Sequence, residues 1–117
     1  MLKYICYPKC TTCVKAKKWL DDNNIEYDLR DIKLDNPTLE ELTEWYKKSG
    51  LPLKKFFITS GLLYKSLDLK NKLPQMREDE MLGLLSTDGM LVKRPILIGE
   101  DFVLVGFKEA EWNEKVK

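Results

Sequence analysis

The chain contains no histidine and only three cysteines among its 117 residues. The absence of histidine excludes Cys–His and Ser–His–Asp nucleophile pairs, imidazole-ligated metal sites and the usual acid–base group near neutral pH. No apolar run approaches the roughly 20 residues that a membrane-spanning helix needs. The N-terminal segment 1–8 lacks the apolar region of a signal peptide, so we expect a cytoplasmic protein without membrane attachment.

The charge balance and the glycine pattern exclude further classes. Twenty basic and nineteen acidic side chains give a net charge of +1, which is not typical of a protein that binds nucleic acid directly. No glycine-rich loop is present to hold phosphates, so we predict no nucleotide or flavin cofactor. The length and a hydrophobic content of 44% indicate one globular domain over residues 1–117.

The predicted order of elements is βαβ, then helices, then ββα. Strands are predicted over 2–7 and 25–32, with a helix over 14–23 between them. Such a unit usually has parallel strands and a right-handed crossover. Further helices are predicted over 39–48, 53–57, 62–67, 78–85 and 108–115. Strands over 95–98 and 102–105 flank a three-residue loop, which is the pattern of a hairpin.

The Cys10-Thr-Thr-Cys13 motif carries the strongest chemical signal. Cys10 falls at or just before a helix N-terminus, where unpaired amides, the helix dipole and the nearby Lys9 and Lys15 favour a thiolate. Cys13 lies one turn further on the same side, where it can resolve a mixed disulfide on Cys10. We therefore predict Cys10 as the nucleophile and Cys13 as the resolving thiol of a redox-active disulfide. Two buried cysteines without a chemical role are the alternative.

Cys6 extends the motif to C-x3-C-x2-C, the spacing of iron–sulfur ligands in radical enzymes that use S-adenosylmethionine. Those enzymes need a partial or full (β/α) barrel of roughly 200 residues or more, which this chain cannot build. Structural zinc would need a second pair of ligands. We therefore predict no metal and interpret Cys6 as a packed strand cysteine, facing the same side as Leu2 and Tyr4.

Three groups of residues resemble the arsenate reductase (ArsC)/Spx family, and within it the small YusI-like branch. They are Tyr7-Pro8-Lys9-Cys10-Thr11-Thr12-Cys13, the motif Lys93-Arg94-Pro95-Ile96, and the intervening Thr59-Ser60-Gly61 and Asp88-Gly89-Met90-Leu91. The resemblance implies an α/β thioredoxin-like fold with a mixed four-stranded sheet. Its thioredoxin-like parts would be about 1–35 and 88–117, with a helical insertion over about 36–87. It also implies a cis peptide before Pro95 and places Arg94 beside the Cys10 thiolate, where a surface ion pair is the alternative for Arg94.

The resemblance implies a thiol–disulfide oxidoreductase that uses Cys10 and Cys13, with an external thiol reductant, either thioredoxin or glutathione with glutaredoxin. Its substrate would be a small oxyanion or a disulfide. Arsenate reduction is one alternative, although the enteric-type reductases use three arginines and this chain has Ile58 and Gly106 at two of those positions. The other alternative is a redox-switched regulator that resembles Spx and binds RNA polymerase.

Overall fold

A four-stranded mixed sheet organises the computed structural model, which describes residues 2–117. Its strands are β1 (Leu2–Cys6), β2 (Tyr27–Asp31), β3 (Ile96–Ile98) and β4 (Val103–Val105). They lie in the order β2-β1-β3-β4, and β1 pairs parallel with β2 and antiparallel with β3. Strand β4 continues the sheet antiparallel to β3. This topology confirms the predicted α/β class and the mixed sheet of a thioredoxin-like fold.

The helices pack on both faces of this sheet. They are α1 (Thr11–Asp22), α2 (Leu39–Ser49), α3 (Leu62–Ser66), α4 (Leu69–Lys72), α5 (Glu78–Leu85) and α6 (Glu109–Val116), with 3₁₀ turns at Leu53–Phe56, Leu73–Gln75 and Gly89–Leu91. In the part of the chain described here, no helix has both the length and the apolar character needed to cross a bilayer.

Strand β1 contributes to both cores because alternate side chains of a strand point to opposite faces. Tyr4 and Cys6 lie on the face covered by α1 and α6, where Trp112 is fully buried. Ile5 lies on the opposite face, among the side chains of α2, α4 and α5. Since Cys13 belongs to the same buried cluster as Cys6, this alternation brings two of the three cysteines together.

Several boundaries differ from the sequence prediction. Helix α1 begins at Thr11 rather than residue 14, because Cys10 adopts the extended conformation of an N-cap and polar residues fill the first turn. Strand β2 spans Tyr27–Asp31 rather than 25–32, and it lies at a sheet edge, where its Leu29 is 48% exposed. The hairpin loop has four residues instead of three, and the amide of Gly99 bonds to the carbonyl of Phe102 at 2.9 Å. Helix α4 was not predicted.

Candidate active site

Cys10 is the N-cap of α1, with φ −86° and ψ 124°. Its carbonyl accepts the Val14 amide at 3.0 Å, which is the first bond of the helix, and its own amide donates to the carbonyl of Tyr7 at 2.9 Å. Its side chain is half-buried, so solutes can reach the sulfur. A sulfur at this position faces the unpaired amides and the positive dipole end of a 12-residue helix, which favour an anion. The flanking Lys9 and Lys15 are exposed.

Cys13 lies in the first turn of α1 and is only 2% exposed. Its Sγ accepts the amide N–H of Tyr7 at 3.3 Å, and its carbonyl accepts the hydroxyl of Tyr4. Cys6 lies in the same buried cluster, and Cys10 packs against that cluster. The neighbouring Cys6 thiol, together with burial, raises the pKa of the Cys13 thiol above its ordinary value. Cys13 is therefore a neutral thiol held against Cys10, and all three cysteines are free thiols.

Arg94 contacts the cysteine loop through Tyr7. Its guanidinium carbon lies 5.3 Å from the centre of the Tyr7 ring, within the range of a cation–π contact. Tyr7 in turn bonds through its backbone to Cys10 and Cys13. The peptide bond between Arg94 and Pro95 is cis, as the family resemblance implied. The structure therefore brings Arg94 and the two cysteines to one loop, with Tyr7 between them.

The Arg94 guanidinium keeps donor capacity that the chain does not use. Its Nη1 donates to the carbonyls of Met90 and Val92, each at 3.3 Å. Its Nε is buried and has no hydrogen-bond partner among residues 2–117. Within that described range Arg94 also has no carboxylate partner, so the alternative of a surface ion pair does not describe it. A half-buried guanidinium without a carboxylate partner is suited to an anionic group that approaches the cysteine loop.

The other two arginines of the chain are already occupied. Arg30 forms a bidentate pair with Glu41, and Arg77 pairs with Asp79. Position 106 is a glycine with φ +79°, a conformation that an arginine would adopt only with strain. A Cβ there would lie 3.1 Å from the Cε of Lys93. Three arginines around one oxyanion are therefore not available here.

Ile58, at the other position where the reductases carry arginine, is half-buried. Its amide donates to the carbonyl of Leu91 at 3.0 Å, so it lies beside the turn that leads to Arg94. An aliphatic side chain adds no charge to this loop. Arg94 is accordingly the one arginine of residues 2–117 at this loop, where Lys33 also lies over the Tyr7 ring, with its Nζ 6.0 Å from the ring centre.

Two features of the site escaped the sequence prediction. Cys6 is buried at 3% exposure and faces the same side as Tyr4, as predicted, but its contact with Cys13 was not foreseen. The sequence assigns Tyr7 no role beyond its motif, yet Tyr7 contacts all three predicted site residues, Cys10, Cys13 and Arg94. Its position immediately before Pro8, between the strand and Cys10, was the available signal. Within residues 2–117 no group of three or more His, Cys, Asp or Glu side chains is arranged to hold a metal ion.

Comparison with known proteins identifies the family. A family model described as the ArsC family matches residues 5–115. The chain belongs to the ArsC family. It is 52% identical over 113 residues to the uncharacterized protein YusI of Bacillus subtilis, and the match covers 97% of this chain and 96% of YusI. It is 31% identical over 110 residues to the regulatory protein MgsR of the same organism, with 94% and 86% covered.

A solved structure of an ArsC family related protein from Bacteroides fragilis superimposes on this chain with a TM-score of 0.95. The two sequences are 58% identical, and the match covers 97% of this chain and 95% of that one. At this identity and coverage the ArsC fold extends over nearly the whole chain, including the helical insertion.

Proposed function

We propose that this ArsC family protein is a thiol–disulfide oxidoreductase in which Cys10 is the nucleophile and Cys13 the resolving thiol. The supporting observation is the pairing of a half-buried sulfur at the N-cap of α1 with a buried neutral thiol one turn further on. A thiolate at a helix N-terminus is the usual attacking group in such exchanges. A protonated partner cannot compete for the first attack, but it is held in place for the second.

The reaction runs in two displacements. The Cys10 thiolate attacks one sulfur of a substrate disulfide, a new S–S bond forms to Cys10, and the other substrate sulfur leaves as a thiolate. Cys13 then loses its proton and attacks the Cys10 sulfur, which releases the second substrate thiolate. The substrate gains two electrons, and the two cysteines lose them as they form the Cys10–Cys13 disulfide.

Arg94 is the group we assign to the charge that develops at this loop. Its guanidinium lies over Tyr7 of the cysteine loop and has no carboxylate partner among residues 2–117, so it can donate to the departing thiolate or to an oxyanion, and a hydrogen bond from a charged donor is worth about 1.5–3 kcal/mol. Pro95 follows Arg94 at the start of β3 and is buried, with its carbonyl bonded to the amide of Gly106 at 2.8 Å. Pro95 belongs to the active-site loop in this proposal.

Turnover needs an external thiol to reduce the Cys10–Cys13 disulfide. We propose thioredoxin, or glutathione with glutaredoxin, as the reductant, with a cytoplasmic location where such thiols are reduced. No bound cofactor enters this cycle. Reductant and substrate both reach Cys10, because Cys13 is buried beneath it.

A substrate panel tests the proposal. The purified protein is given arsenate, mixed glutathione disulfides and small disulfides, each with the thioredoxin system and, separately, with the glutathione and glutaredoxin system. We expect turnover of a disulfide and loss of that turnover in the Cys10→Ser variant. Turnover that persists in Cys10→Ser would refute the assignment of the nucleophile. Turnover of arsenate alone would make the protein an arsenate reductase that works with one arginine.

Arg94 has its own test. Arg94→Ala should slow disulfide exchange about tenfold, the effect of losing roughly 1.4 kcal/mol from one charged donor. Arg94→Lys should recover only part of the rate, because an ammonium does not reproduce the guanidinium fork. Arg77→Ala, which removes an exposed arginine from the start of α5, is the matched control and should leave the rate unchanged. An unchanged rate in Arg94→Ala would remove Arg94 from the site.

A second candidate is a redox-switched regulator, which is favoured by the similarity to the regulatory protein MgsR over 94% of this chain. In that function the Cys10–Cys13 disulfide would change a surface that contacts RNA polymerase. Capture of RNA polymerase by the oxidised or the reduced form only, without turnover of any disulfide, would support it. Turnover with equal or absent capture in both forms would exclude it.

A further inference from the structure

Cys6 lies beside the proposed resolving thiol. It ends β1, is 3% exposed, and belongs to the buried cluster that contains Cys13. The amide of Tyr7, which is covalently next to Cys6, donates to the Cys13 sulfur at 3.3 Å. Cys10 packs against the same cluster. All three cysteines therefore meet at one place, with Cys6 and Cys13 inside the buried cluster and Cys10 half-buried against it.

We propose that Cys6 is a second disulfide partner for Cys13, and that the Cys10–Cys13 disulfide is transferred to Cys6–Cys13 after it forms. The proposal rests on the proposed function, since that function produces the first disulfide. It goes beyond that function because it adds a third redox-active cysteine and a second oxidised form of the protein.

The transfer is a thiol–disulfide exchange without a change in oxidation level. Cys6 gives up its proton to solvent and its sulfur attacks Cys13 Sγ. The Cys6–Cys13 bond forms as the Cys10–Cys13 bond breaks, and Cys10 departs as a thiolate. No external oxidant or reductant takes part.

Two features favour this direction of transfer. Cys10 departs into the N-terminal end of α1, where amides and the helix dipole favour its thiolate, and a stabilised thiolate is the better leaving group. In the reduced protein the neighbouring Cys13 thiol lowers the pKa of Cys6, but that thiol is consumed when Cys13 enters a disulfide, and Cys6 is then a thiol enclosed in an apolar cluster.

The consequence concerns access. After transfer the disulfide joins two sulfurs that are each no more than 3% exposed, so an external thiol cannot attack it directly. Cys10 is free again and half-buried, and it can capture a second electrophile or form a mixed disulfide with a partner. The buried Cys6–Cys13 disulfide becomes reducible only when the Cys10 thiolate attacks Cys13 and restores the Cys10–Cys13 disulfide.

The sequence allows a direct test on the whole protein. Trypsin cleavage after Lys3, Lys9 and Lys15 places Cys6 in peptide 4–9 and both Cys10 and Cys13 in peptide 10–15. The reduced protein is oxidised with one equivalent of diamide, quenched in acid at increasing times, labelled with N-ethylmaleimide in denaturant and digested without reduction. A Cys10–Cys13 bond gives an internal loop in peptide 10–15 with label on Cys6. A Cys6–Cys13 bond joins the two peptides with label on Cys10.

We expect the internal loop to form first and the joined peptides, labelled on Cys10, to replace it. In Cys6→Ala the loop should persist, and in Cys10→Ser the joined peptides should form at least tenfold more slowly than in the wild type. Joined peptides that form equally fast in Cys10→Ser would refute the transfer, because Cys6 and Cys13 would then be oxidised directly.

A loop that persists in the wild type with label on Cys6 would refute the inference and leave the proposed function intact. Absence of the loop at every time, with Cys10 unreacted, would instead refute the proposed function. The wild-type time course carries the decision, so the result does not depend on whether a variant folds.

Discussion

Replacing Gly89 with alanine should destabilise the protein severely. Gly89 starts the 3₁₀ turn before Arg94 and is buried against the end of β2. A Cβ added at Gly89 would lie 1.9 Å from the carbonyl oxygen of Ile32 and 2.8 Å from its carbonyl carbon, both backbone atoms. Because these atoms belong to the backbone and not to a flexible side chain, the added Cβ can be accommodated only if the turn moves away from the end of the strand. We expect a cost of about 3 kcal/mol or more, the upper end for overpacking a core.

The control is Gly83→Ala in the interior of α5. No atom of residues 2–117 outside the helix backbone lies within 4 Å of the Cβ that this change would add. Because alanine favours a helix interior over glycine by about 1 kcal/mol, Gly83→Ala should stabilise the protein. The same chemical change therefore has opposite expected signs at two sites, which removes any general effect of an added methyl group.

Urea unfolding followed by tryptophan fluorescence measures both effects. With a slope of about 1.5 kcal/mol per molar urea, Gly89→Ala should lower the midpoint by about 2 M, and Gly83→Ala should raise it by about 0.7 M. The Arg94 guanidinium donates to the carbonyl of Met90 within the displaced turn, so Gly89→Ala should also slow disulfide exchange. A loss of less than about 1 kcal/mol would show that the turn is free to move and would refute the reasoning from this contact.

Two further changes test the support of the site. The bidentate bond from Arg30 lowers the pKa of the Glu41 carboxyl to about 2, so the pair stabilises the fold above about pH 4.3 and this contribution is lost as the pH falls towards 2. The full pKa shift of Glu41 corresponds to at most about 3 kcal/mol of stability. Because the Glu41 side chain is 34% exposed, solvent screening reduces this contribution to about 1 kcal/mol. Glu41→Gln should abolish this pH-dependent contribution, which urea midpoints measured at several pH values would show. Tyr4→Phe should lower the free energy of unfolding by about 1–2 kcal/mol in the same urea assay, because the buried Cys13 carbonyl loses its hydroxyl donor.

Each of these changes has a matched control on the same chain. Glu44→Gln alters an exposed carboxylate of α2 and should leave the pH dependence of the urea midpoint intact. Tyr27→Phe removes a hydroxyl that bonds to Asp21 at the surface, and should change the free energy of unfolding by less than about 0.5 kcal/mol. Equal effects in target and control would show that neither contact contributes as argued.

The fold was predictable where residue patterns are local and strong. The capping residues Thr38 and Glu41, followed by a left-handed Gly50, delimit α2 close to the predicted bounds. Helix α4 could not be predicted, because Leu69–Lys72 contains a single buried residue, Leu69, and forms through contacts with neighbouring turns. The exposure of Leu29 follows from the position of β2 at a sheet edge. The alternation of apolar and polar residues within one strand does not reveal the order of strands in the sheet.

The candidate site divides in the same way. The spacing of Cys10 and Cys13 within one helical turn predicted their proximity, since local geometry determines it. The contact of Cys6 with Cys13 depends on which face of β1 meets α1, which is a tertiary property. The unpartnered Nε of Arg94 likewise depends on how the turn at Met90 folds over the guanidinium. The individual roles of Cys10, Cys13, Arg94 and Pro95 stay predictions until the experiments above are made.

The tryptophan side chains are divided between the two faces of the sheet, so their fluorescence can report on each face separately. Trp19 and Trp112 stack edge-to-face, 5.8 Å apart, in the cluster that holds the sulfurs, whereas Trp45 lies on the far side against Arg30. A variant that retains Trp45 as its sole indole would report on the helical insertion. A variant without Trp45 would report on the surroundings of the cysteines. Tryptophan fluorescence of the two variants would therefore follow the unfolding of each face of the sheet separately.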